Sequence, residues 1–193
     1  MTNHIMIDLE TVDTKPTSKI LSIGACIFNP HDSAIIDTFS VNPDLIDQSY
    51  MWVRTEGAST LEWWLKQPKM AYERAFTNEG RIPLPEALQS LVAFFDKHTP
   101  ERTWAHGSLF DIGILENVLD QVGIQIPWKY WEVRDTRTLF EMCGVSLTDN
   151  NYQTSHVAVE DAINQAHTVQ RAFKVIERWR NPTLKDVVIK WAS

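Results

Sequence analysis

Apolar and polar residues fall into separate stretches along the chain, each with its own period, and each period predicts an element. Three apolar runs open the chain, over residues 5–9, 20–28 and 34–41. The links between them are short and rich in turn formers, Asp13-Thr-Lys-Pro16 and Asn29-Pro-His-Asp-Ser33. Links of that length join neighbouring strands, so this part predicts an antiparallel three-strand meander. Residues 84–95 then place Leu84, Leu88, Leu91 and Phe95 on one side of a helix, with Pro83 and Pro85 at its start, where a missing amide donor costs little. Residues 102–106 predict a short strand, 109–122 a second helix, 132–134 another strand and 136–142 a short helix. A long helix over 157–178 closes the pattern, with Ala158, Ala162, Gln165, Val169, Ala172 and Ile176 as its buried stripe and Asp161 at the border. Residues 42–82 keep no period, are punctuated by Pro43, Gly57, Pro68 and Gly80, and predict an irregular insertion rather than a domain. A meander followed by alternating helices and strands makes an α/β sheet of mixed direction.

Composition narrows this to one unit. A chain of 193 residues with 44% hydrophobic content can bury one good core, so residues 1–193 predict a single domain, without repeats, low-complexity tracts or linkers. The net charge of −7 is wrong for a protein that grips long duplex nonspecifically through many phosphates. Cys26 and Cys143 have no metal-ligand spacing and predict two reduced thiols in or near the core. Asp8 interrupts the first apolar run and no segment approaches the ~20 apolar residues of a membrane span, so a cytoplasmic protein without a signal peptide or membrane partner is expected.

Four acids and one histidine carry the candidate chemistry. Alternate residues of a strand share a face, so Asp8 and Glu10 present two carboxylates together at the end of the first apolar run. Hard divalent cations prefer such oxygen ligands, and Asp111 and Asp161 would complete the cage. The plainer alternatives are a solvated strand end for Asp8 and Glu10, and for Asp111 a carboxylate favoured by the positive end of the helix beginning near Gly107. His156 lies five residues before Asp161 and is expected on the loop ahead of the last helix, with a mobile imidazole. Its competitor His106 is expected to be structural or to touch substrate. Trp63 and Trp64 invite base stacking, but adjacent helix positions cannot share a face, so one of the two is expected to be packed. Arg134, Asp135 and Arg137 lie where guanidinium groups could neutralise a phosphate or form surface ion pairs. Lys15, Lys19, Lys66 and Lys69 read as solvated surface.

The order Asp8-x-Glu10, then Phe110-Asp111, then His156-x-x-x-x-Asp161 resembles the DEDDh branch of DnaQ-like 3′-to-5′ exonucleases, over about residues 5–176. Ser59-Thr-Leu-Glu-Trp-Trp-Leu-Lys-Gln-Pro68 and Arg134-Asp-Thr-Arg-Thr-Leu139 are similar to a subgroup of small phage-type exonucleases and mycobacterial-type exoribonucleases. The resemblance implies a ribonuclease-H-like fold and a pair of Mg²⁺ or Mn²⁺ ions held by Asp8, Glu10, Asp111 and Asp161, with His156 as general base. It also implies substrate contacts from Leu9, as a wedge against the terminal base, and from Thr11, alongside Trp63, Trp64, His106 and Arg137. The implied partner is a single-stranded 3′ end of RNA or DNA, with a homodimer left open. Two alternatives stand beside it: a noncatalytic nucleic-acid-binding module of the same fold, and a hydrolase of very short oligonucleotides.

Overall fold

The structure is a computed structural model that describes residues 2–150 and 155–182. Its centre is a five-stranded sheet in the order β3-β2-β1-β4-β5. β1 (His4–Thr11), β2 (Ile20–Phe28) and β3 (Ile35–Val41) form the antiparallel meander, while β4 (Arg102–Ala105) and β5 (Val133–Asp135) run parallel to β1.

Strand alternation sorts β1 between two helical layers. Ile5, Ile7 and Leu9 face the layer built by α4 (Leu84–His98) and α5 (Ser108–Val122), where Leu88, Leu91, Ile112 and Leu115 pack against them. Met6 points the other way, toward α6 (Thr136–Cys143) and α7 (Ala158–Arg180), into a cluster with Cys26, Phe140, Ala162 and Val169. Asp8 and Glu10 continue the Met6 face, so they lie on the α7 side. Both cysteines are free and buried.

The stretch expected to be irregular carries three short helices, α1 (Leu45–Tyr50), α2 (Ala58–Trp64) and α3 (Lys69–Phe76). Each is too short to announce itself by a repeating apolar period, and segments of this length are marginal without tertiary support. That support is a third small cluster, in which Trp64 and Ala75 pack on Val12 and Leu21. Arg54 ties the stretch to the rest of the molecule. Its guanidinium donates to the carbonyls of Ser18 and Pro16 and to the side chains of Asn117 and Gln121 on α5. Lys19, expected at the solvated surface, is buried, and its ammonium is paired with Glu56 and Ser49. The turn that carries it is covered by α1 and the segment after it.

Candidate active site

β1 outruns its parallel neighbour. It pairs with β4 only over His4, Ile5 and Met6, so the strand from Ile7 onward has no β partner on that side. The N-terminal turn of α5 fills the place. Asp111 Oδ1 accepts the Leu9 backbone N–H at 3.1 Å, which satisfies a ladder donor and brings a third carboxylate beside Asp8 and Glu10. Leu9 itself packs in the α4/α5 layer, but it also lines the cleft.

The fourth carboxylate arrives from the opposite layer. Asp8 pairs with Gly24 across β1 and β2. A Cβ on Gly24 would sit 2.1 Å from the Ala158 carbonyl carbon and the Val159 nitrogen. The missing side chain therefore lets the first turn of α7 lie on the sheet, with Asp161 above the acids of β1. One turn further along α7, Gln165 Nε2 donates to Asp8 Oδ1 at 2.7 Å. Gly24 was not among the sequence candidates, although glycine inside an apolar strand is a signal of close backbone approach. Gln165 was read as a core position, and its polarity in an apolar stripe was the available clue.

His156 stands just before α7 with φ of 53°. One ligand atom from each of Glu10, His156 and Asp161 lies within 4.8 Å of the others. The imidazole is not loose, as the sequence suggested. Its ring meets Trp63 edge-to-face at 5.0 Å and Trp64 at 5.7 Å, contacts between residues far apart in sequence that no local pattern could disclose. The two tryptophans do divide, as adjacent helix positions must: Trp64 is 1% exposed and its Nε1–H donates to the Thr11 carbonyl, whereas Trp63 is 43% exposed.

The four acids, His156 and Gln165 wall a cleft of about 310 Å³ that also receives His106, Phe110 and Arg137. His106 Nδ1 lies 2.8 Å from Thr136 Oγ1, and burial, then Arg137, lower its pKa against an opposing effect of Asp135. Arg137 packs over Gly107, whose Cβ would be 3.4 Å from the guanidinium. Arg134 turns away, donating to the carbonyls of Trp131 and Val133. Asp135 caps α6 through the Arg137 N–H and also accepts the Ser108 N–H at the start of α5, a structural role in place of an ion pair. A second hollow of about 280 Å³ adjoins the cleft, with Leu9, Thr11, Trp63 and Phe110 among its mainly apolar walls.

Crowding with other acids raises the pKa of Asp8 and Glu10. Burial first, then Asp161 and Asp111, push Glu10 up to about 8. Asp8 is raised by burial and by Asp111, Glu10 and Asp161, against the opposing hydrogen bond from Gln165. Burial also raises Asp111, countered by the Leu9 N–H and by Arg137.

Residues 3–173 match the family described as the Rv2179c-like 3′-5′ exoribonuclease domain. The chain belongs to that family. It is a 3′-5′ exonuclease, in agreement with the order of acids and histidine in the sequence. No curated protein sequence matches it. The nuclease domain of 3′hExo, a DEDDh family member bound to rAMP, superposes with a TM-score of 0.57 at 12% identity, over 89% of this chain and 92% of that one. The zinc-bound complex of E. coli ExoI with single-stranded DNA superposes with a TM-score of 0.65 at 13% identity. That match takes in 98% of this exonuclease but 43% of ExoI, so the chain spans less than half of that protein's length. Cell-death related nuclease 4 gives a TM-score of 0.51 at 11% identity, over 90% of this chain and 64% of that one. At these identities the likeness concerns the fold, which is the ribonuclease-H-like mixed sheet flanked by helices.

Proposed function

We propose that this exonuclease removes nucleoside 5′-monophosphates from single-stranded 3′ ends by metal-assisted hydrolysis, with His156 as general base. The observation that carries the reading is the convergence of four carboxylates, from β1, α5 and α7, in one cleft beside His156. The donor set suits hard divalent cations. It is all oxygen with one imidazole, and acids pushed toward protonation by one another are stabilised in their charged form by a bound cation. Among the described residues, the buried Asn164 Nδ2 and Gln165 Oε1 have no hydrogen-bond partner; both belong to residues on the same walls and are available to a ligand.

In this reading Asp8, Glu10 and Asp161 would hold one Mg²⁺ or Mn²⁺, and Asp8 with Asp111 would hold a second. When bound, such ions would supply positive charge to the oxygens that gain negative charge as the phosphodiester breaks, and would acidify water. His156 accepts the proton of the attacking water, whose oxygen forms the new bond to phosphorus. The bond from phosphorus to the 3′ oxygen breaks, and that oxygen leaves with a proton taken from solvent. Arg137 faces a phosphate of the strand, and His106, held by Thr136, lines the same wall. Leu9, Thr11, Trp63 and Trp64 border the hollow that receives the terminal nucleoside. Gln165 holds Asp8 in place.

The family's exoribonuclease description makes RNA the first substrate to test. A panel of 3′-labelled and 5′-labelled RNA and DNA single strands, with Mn²⁺, with Mg²⁺ and with chelator, decides the matter. Stepwise release of labelled mononucleotide from the 3′ end, abolished by chelator and by Asp8→Asn or Asp161→Asn, is the expected outcome. Undiminished turnover in chelator would sink the reading. The net charge of −7 also favours very short oligonucleotides as substrates, and comparing a dinucleotide with a longer strand in the same panel separates that reading.

A further inference from the structure

A histidine that takes a proton in a reaction is usually aimed by a hydrogen bond that its other ring N–H donates to a carboxylate or a backbone carbonyl. His156 departs from this. Among the described residues its imidazole makes no hydrogen bond, and what touches it are two indoles. Trp63 meets it at 5.0 Å with the ring planes at 90°, and Trp64 at 5.7 Å and 70°. Both lie within the separation at which aromatic pairs prefer an edge-to-face arrangement, about 4.5–7 Å between centroids.

The indoles are themselves fixed. Trp64 is buried, donates to the Thr11 carbonyl at 2.8 Å and packs edge-on against Phe76 at 5.7 Å. Thr11 directly follows Glu10 on β1, so the end of the strand that bears the acid also anchors α2. Trp63 then leans on Trp64 at 5.1 Å and 78°. The route from Glu10 through Thr11, Trp64 and Trp63 to His156 is continuous, and it ends beside Glu10 again. The left-handed backbone at His156 points the same way, because a non-glycine residue stays there when its surroundings determine its conformation.

We propose that Trp63 is a positioning residue: with Trp64 it sets the attitude of the His156 imidazole toward the acids, and it acts on the reaction through His156 rather than as a platform for a substrate base. The proposal rests on the reading in which His156 accepts the proton of water. It assigns a task to α2 beyond covering the hollow, since the helix that borders the nucleoside also aims the base.

A double-mutant cycle tests it. Trp63 is partly exposed, so Trp63→Ala should fold. That variant is expected to lower kcat by about 10-fold or more while KM changes less than about threefold, because misplacing a reacting group costs rate rather than binding. Trp63→Phe, which keeps a ring edge, should recover most of the loss. In a His156→Ala background, Trp63→Ala should lower kcat no further. A second readout needs no turnover. The ring-proton resonances of His156, assigned by their disappearance in His156→Ala, should move in Trp63→Ala as the shielding of the indoles is lost. A Trp63→Ala variant whose KM rises in both backgrounds with kcat intact, or whose His156 resonances stay where they were, overturns the positioning role and leaves the general-base reading standing. Full kcat in His156→Ala overturns that reading, and the positioning role with it.

Discussion

Glu10 makes the metal-free protein sensitive to pH in an unusual direction. Its carboxyl is raised from the ordinary 4.5 to about 8 by burial and by its acidic neighbours, so the folded state holds this proton more tightly than the unfolded chain does. Stability from that source is complete below pH 4.5 and is lost as pH rises toward about 8. His4 opposes it over part of the range. Burial, and then Arg102, lower its imidazole from 6.5 to about 4, so the fold favours its neutral form and gains stability as pH rises between those values. Above pH 6.5 His4 has nothing more to add, which leaves the acids alone in the window from there to about 8. In chelator, stability should fall across that window by up to about 1.4 kcal/mol per pH unit for each proton involved, and the melting temperature should fall with it. Glu10→Gln should flatten the fall, and added Mn²⁺ should reverse it. A melting temperature that climbs over the same range would contradict the assignment. At the same scale, His156→Ala is expected to reduce kcat by ~10²–10⁴, the usual range for removal of a general base, with fold stability unchanged by thermal melting.

The junction of β2 with α7 depends on a residue without a side chain. Gly24→Ala would set a methyl group 2.1 Å from the backbone of Ala158 and Val159, and backbone on both sides leaves nothing flexible to yield. The helix must lift, taking Asp161 and Gln165 from the acids of β1. A loss of stability of about 1–3 kcal/mol, typical of overpacking, is expected in denaturant titration, together with a large fall in activity. Wild-type behaviour would mean that the helix can shift without disturbing the cleft. This junction also shows what could be read in the chain. β2 was expected over 20–28 and is Ile20–Phe28, and α7 was expected over 157–178 and is Ala158–Arg180, because period and burial are written locally in long elements. Asp8, Glu10, Asp111 and Asp161 were likewise legible as an ordered set, and the fold brings them to one cleft. The short helices α1, α2 and α3 were not, since each exists by virtue of the surface it packs on. The indoles around His156 were invisible for the same reason. Trp63 stands 93 positions away, and adjacency in space leaves no periodic mark.

At the scale of the molecule, the proposed substrate sets an electrostatic expectation. Among the described residues that wall the cleft, Arg137 is the one permanent cation. For single strands, each phosphate neutralised contributes about 0.7 to the slope of log affinity against log salt, so a slope of about 0.7–1.4 is expected for KM rather than the steep dependence of a processive basic groove. A closed circular single strand should survive prolonged digestion that consumes its linear form, and internal cutting of the circle would place the enzyme in another class. The sheet order has a consequence in time as well as in space. β1 lies at the centre of the sheet, yet it is completed by α7, which packs across β1, β2 and β3. Synthesis runs from the N-terminus, so Asp8 and Glu10 leave the ribosome first, Asp111 follows, and Asp161 comes only with the helix that seats on Gly24. Until then the growing chain holds an incomplete set of acids. A chain that stops short of α7 is therefore expected to show no nuclease activity, which a variant ended before Ala158 would test.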